Sequence, residues 1–131
     1  MSFDLEIAAR TLYMEARGEI EIGQRAVANV LVNRMKNGRW GSSLTSVCLW
    51  PYQFSSWNTQ DSNRKAMSFL SETDPLLLKL SSFVQDALSG AQDVTNGATH
   101  YYATWISPPI WVIGATFCGQ FGKQLFYKDV H

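Results

Sequence analysis

Apolar positions at the start of the chain recur at steps of three and four: Leu5, Ala8 and Leu12. That spacing predicts a helix with one buried face. The next place on the same stripe is held by Glu15. Ser2 suits the N-cap of this helix, with Asp4 and Glu6 in the first turn, where the helix dipole favours negative charge. Gly18 predicts a left-handed stop just beyond it. A second helix is expected from about Gly23 to Lys36, ending at Asn37-Gly38. Ala26, Val27, Ala28, Val30, Leu31 and Val32 leave almost no polar surface in its middle, which predicts the central core helix. Its polar exceptions, Asn29, Asn33 and Arg34, are expected to be core residues with satisfied hydrogen bonds. Ser43 should cap a short helix holding Leu44, Val47 and Leu49, and Ser62 to Leu70 another. Asp74-Pro75 is a clean helix start. Leu76, Leu77, Leu80, Phe83, Val84, Ala87 and Leu88 then form a strong stripe, closed by Gly90.

Beyond Val94 the texture changes. Thr99-His100-Tyr101-Tyr102 is β-branched and aromatic, hence extended. Two further strands are expected over Trp111–Phe117 and Lys123–Tyr127, with Cys118-Gly119-Gln120-Phe121-Gly122 as a loose hairpin loop. Helices first and a small hairpin last predict an α+β domain, mostly α. With 131 residues and no internal linker, a single domain over residues 1–131 is expected, with no separate binding module.

Charge and cysteine usage narrow the function classes. Eleven basic residues balance eleven acidic ones, so no overall field favours nucleic acid or an anionic membrane. Cys48 and Cys118, the two cysteines, lie far apart and read as free thiols. With only His100 and His131 beside them, no metal pattern forms, and neither metal nor cofactor is expected. The first residues show no basic region followed by an apolar core, and no apolar run reaches membrane-span length. The expectation is a monomer made in the cytoplasm. Five Trp and five Tyr exceed what a core this small requires, and such rings suit flat ligands, sugars among them. The stretch from Trp50 to Asn58 is rich in aromatics and amides without helical period, as a cleft wall would be.

Glu15 is the candidate for chemistry. A carboxyl on a buried stripe is driven from a reference pKa of about 4.3 towards roughly 6, where it can act as a general acid near neutral pH. From spacing alone, an ordinary Glu on a solvated edge, or one paired with Arg10 or Arg17, explains the position slightly better.

Four motifs in order decide between these. They are Ala9-Arg10-Thr11-Leu12-Tyr13-Met14-Glu15-Ala16-Arg17-Gly18-Glu19 followed by Gly23 to Arg34, then Gln53-Phe54-Ser55, Gly97 to Tyr102, and the closing Phe126-Tyr127. Together they resemble the SleB-like cell wall hydrolases, over nearly the whole chain. The resemblance implies a lysozyme-like domain that cuts the MurNAc-GlcNAc bond of peptidoglycan, with Glu15 as the catalytic acid. It also implies that Gln53, Ser55, Thr99, Tyr101 and Tyr102 line the cleft. On a strand, only one of the two tyrosines can face that cleft, with Thr99 expected beside Tyr101 and His100 beside Tyr102. Trp57 and Trp105 are candidate sugar platforms or core residues.

A two-carboxylate muramidase would need a partner for Glu15, and Glu19, Glu21 and Asp61 are the candidates. A lytic transglycosylase needs only one Glu, because the muramic hydroxymethyl group attacks in place of water. The absence of a clear second carboxylate favours the transglycosylase. A non-catalytic peptidoglycan-binding module and a protein-interaction domain are the rival classes. With neither signal peptide nor binding module expected, the chain looks like a phage or prophage endolysin that other proteins release to the wall.

Overall fold

The computed structural model describes residues 1–51, 53–54, 57 and 62–131. Ser55 and Asp61, both singled out above, lie outside the described residues. Helix α1 spans Phe3–Ala16, and the Ser2 hydroxyl accepts from the Leu5 amide at 3.2 Å. Leu12 and Ala8 are fully buried, as their stripe requires. The helix does not end as expected. Arg17 stays in the right-handed region, and a bond from the Glu19 amide to the Ala16 carbonyl at 2.9 Å turns the chain. Gly18 is not left-handed, because this short-range bond satisfies the helix end without it.

Helix α2, Glu21–Asn37, starts two residues earlier than predicted and closes on Gly38 at φ +83°. Its middle is buried throughout, which makes it the core helix. Helix α3 (Leu44–Cys48) carries a reciprocal capping box between Ser43 and Ser46. Helix α4 covers Ser62–Ser68 and α5 Pro75–Leu88, the latter capped by Asp74 through the Leu76 and Leu77 amides. Helix α1 packs on α2, α3 and α5, and α2 also packs on α3 and α5. Leu80 is fully buried in this core, so Leu80→Ala should lower stability by roughly 2–5 kcal/mol in urea melts, with catalysis retained by the folded fraction.

A three-stranded antiparallel sheet follows, β1 (His100–Ala103), β2 (Thr116–Phe121) and β3 (Gln124–Lys128), with β3 in the centre. Tyr101 pairs with Phe126 in its register, and the β2 ladder shifts between Phe117 and Gly119. The expected strand over Trp111–Phe117 is displaced. Ile110–Val112 is a 3-10 turn, and Ile110 and Ile113 point to solvent at 85% and 83% exposure. What looked like a loose loop at Cys118–Gly122 is mostly strand. The reversal is a two-residue turn at Gly122-Lys123, with Gly122 at φ +62°. A side chain at Gly122 would also meet a Glu19 carboxylate oxygen at 2.2 Å, so the turn demands glycine twice over.

One face of the sheet meets the helices through Tyr101 stacked on the fully buried Phe126. The other carries Tyr102, Tyr127 and Phe117, and Trp111 of the 3-10 turn lies against Tyr102 and Tyr127. Among the described residues, no helix is long and apolar enough to cross a membrane.

Candidate active site

Glu15 sits in the last turn of α1, half-buried rather than enclosed. The Tyr101 hydroxyl, brought by β1, donates to its Oε1 at 3.1 Å. Burial and the neighbouring Glu15 charge hold the Tyr101 phenol well above its usual pKa. Tyr101 is therefore a hydrogen-bond donor throughout the working pH range.

Arg34 organises what surrounds this pair. Its guanidinium, on α2 and 5% exposed as a residue, donates from Nε to the Thr99 carbonyl at 2.6 Å and from Nη1 to Gln53 Oε1 at 3.1 Å. Its planar head lies 4.9 Å from the Trp40 ring centre and 5.3 Å from that of Phe54. Burial pushes the Arg34 pKa down, while the neighbouring Glu15 carboxylate favours its cationic form. A fork of fixed donors thus joins the loop bearing Gln53 to the strand bearing Tyr101. The expectation of a satisfied core residue was correct about burial and hydrogen bonds, but missed which groups those bonds would join. An Arg close behind the apolar run Val30-Leu31-Val32 of α2 was the available signal, since a buried guanidinium must be fully partnered.

The other predicted site residues divide. Gln53 and Tyr101 border a shared cavity of about 390 Å³. Thr99 contributes its backbone carbonyl to Arg34, while its hydroxyl lies 2.9 Å from His100 Nδ1. Tyr102 is buried on the opposite face of β1 from Tyr101 and does not join Glu15; it stacks on Tyr127. Glu19 accepts from the Lys123 amide at 3.0 Å and from Gln124 Nε2 at 3.4 Å, tying the α1–α2 link to the hairpin. Glu21 lies on the surface between Arg25 and Lys79. Trp57 packs partly buried against the core and its indole donates to the buried Thr11 hydroxyl, whereas Trp105 is 70% exposed. Both cysteines are free.

His100 is buried between Trp40 and Trp111. Burial first, then the charges of Arg34 and Arg39, lower its pKa from 6.5 to about 4. Between those values the unfolded chain takes up a proton that the folded one refuses, so stability falls as pH drops from 6.5 to about 4. Above pH 6.5 this residue contributes no pH dependence. Urea melts across the window should show a shallower acid decline in His100→Gln than in the parent.

The sequence profile of the cell wall hydrolase family matches residues 18–127. The chain belongs to that family. The match begins three residues after Glu15. Spore cortex-lytic enzymes are alignable across more of the chain. That of Halalkalibacterium halodurans is 28% identical over 94% of this chain and 34% of its own length. That of Bacillus cereus is 27% identical over 95% of this chain and 44% of its own. The chain thus spans well under half the length of these curated relatives. Among solved structures, the catalytic domain of the germination-specific lytic transglycosylase SleB from Bacillus anthracis superposes with a TM-score of 0.75. It has 26% identity, and the alignment covers 98% of this chain and 97% of that one. The Bacillus cereus SleB catalytic domain gives 0.76 at 26% identity, covering 95% and 89%. The mostly helical fold with its small sheet is the fold of those catalytic domains.

Proposed function

We propose that this cell wall hydrolase domain cleaves the glycan strand of peptidoglycan at the MurNAc-GlcNAc bond, as a lytic transglycosylase with Glu15 as its acid and base. The observation that carries the assignment is the Tyr101–Glu15 hydrogen bond of 3.1 Å, made across 86 residues of sequence beside an open cavity. The hydroxyl fixes one carboxyl oxygen and stabilises the carboxylate that remains once the proton has gone.

In the first half-reaction Glu15 gives its proton to the glycosidic oxygen as the C1–O bond breaks. The muramic C6 hydroxyl then bonds to C1 and returns a proton to the Glu15 carboxylate. Atoms balance without water, and the product is a 1,6-anhydro muramic end. Gln53 offers an amide for the acetamido and hydroxyl groups of the sugars.

The transglycosylase is favoured over the two-carboxylate muramidase because both Glu19 oxygens are engaged by the hairpin. A structural carboxylate held by a backbone amide is poorly placed to activate water. Mass spectrometry of soluble products from purified peptidoglycan tests the distinction. Anhydro ends, one water lighter than hydrolytic ends and resistant to borohydride, are the expected result. Tyr101→Phe should reduce turnover roughly tenfold while the ring stack on Phe126 preserves the fold. Glu19→Gln should lower activity much less than Glu15→Gln. Reducible ends together with an inactive Glu19 variant would replace this mechanism with the muramidase.

A further inference from the structure

The cavity beside Glu15 has a chemistry that acid catalysis does not use. Its lining includes Arg34, Arg39, His100, Tyr101 and Trp111, and no Asp or Glu side chain among the described residues. The two guanidiniums flank one buried indole, each 4.9 Å from the Trp40 ring centre. Arg39 is exposed, and its Nη1 donates to the Val130 carbonyl at 2.8 Å, which fixes the head beside the cavity. Gathering two like charges at one ring is repulsive, and the Arg39 charge adds to the burial that lowers the Arg34 pKa. Their joint field also reaches His100, whose protonation they disfavour. Such a pocket is poised for an anion, and planar forks of donors suit a carboxylate best.

We propose that this cavity binds a carboxylate carried by the muramic residue undergoing cleavage, with Arg39 as the specificity-determining contact. The inference rests on the peptidoglycan reading above. Tyr101 links the two places, since it lines the cavity and its hydroxyl bonds to Glu15. The lactyl arm of muramic acid leaves C3 of the ring whose C1 is attacked, so an acid on that arm lies within reach. The carboxylate comes from the free lactyl group of a peptide-stripped strand or from the stem peptide of an intact one.

The test compares kcat/KM on three soluble glycan preparations: intact strands, amidase-stripped strands, and stripped strands whose carboxylates have been coupled to methylamine. Wild-type protein is expected to favour at least one carboxylated preparation over the amidated one by about tenfold, less so in high salt. Preference for stripped strands assigns the lactyl carboxylate, and preference for intact strands alone assigns the stem peptide. Arg39→Gln should collapse the preference ratio towards one, and Arg39→Lys should restore part of it. Equal wild-type rates on all three preparations, or an unchanged ratio in folded Arg39→Gln, overturn the proposal. Neither result touches the role of Glu15, which stands or falls on whether Glu15→Gln still cuts any of the three.

Discussion

Glu15→Gln is expected to lose about a hundredfold or more of its rate of glycan cleavage while folding normally. The amide keeps the size and shape of the carboxyl, and its oxygen can still accept from the Tyr101 hydroxyl. What it lacks is the transferable proton. Glu15 is only half-buried, so neither the old group nor the new one is forced into an unsatisfied interior position. Clearing of a cell wall suspension reports the rate, and a thermal melt of the same sample reports the fold. A variant that clears the suspension nearly as fast as the parent would remove Glu15 from the mechanism.

Arg34→Ala is expected to damage both stability and activity. Truncation leaves the Thr99 carbonyl and the Gln53 amide without their donor and opens a void between Trp40 and Phe54. Two lost charge-assisted hydrogen bonds and a cavity imply roughly 3–5 kcal/mol, or a fall in Tm on the order of 10 °C for a domain of this size. At a temperature where the variant is still folded, turnover should also fall, because Gln53 and the start of β1 are no longer tied to one side chain. Arg34→Lys separates the two contributions. It retains the charge but not the fork, so it should recover more stability than activity. Wild-type melting by Arg34→Ala would show that the contacts to Thr99 and Gln53 contribute nothing to the fold.

Local chemistry made much of this fold readable. Ser2, Ser43 and Asp74-Pro75 start helices because their side-chain oxygens meet amides two or three residues away, and Gly38 stops one by its own backbone freedom. The burial of α2 followed from its composition alone. Features set by distant partners were not readable. Trp111 to Phe117 has the composition of a strand, yet Gly114 at φ +82° follows the 3-10 turn and β2 begins at Thr116. Trp111 instead lies against Tyr102 and Tyr127, an outcome fixed by tertiary packing that propensity does not encode. Glu19 resembled a spare catalytic group because its partners, Lys123 and Gln124, stand more than a hundred positions away. Glu15 was legible as a carboxyl on an apolar stripe. That Tyr101 rather than Tyr102 would reach it needed the strand's register as well as its alternation.

The contacts that assemble the cleft are nearly all between the two ends of the chain. Tyr101 to Glu15 spans 86 residues, Arg34 to Thr99 spans 65, and Lys123 to Glu19 spans 104. Central strand β3 pairs with both neighbours and comes after both of them in chain order. A nascent chain that has made its helices but not Gln124–Lys128 lacks the partner that positions β1, and Tyr101 has nothing to hold it at Glu15. The cleft therefore closes only once β3 is in place, and a chain cut before Gln124 leaves Tyr101 without the strand that sets it beside Glu15.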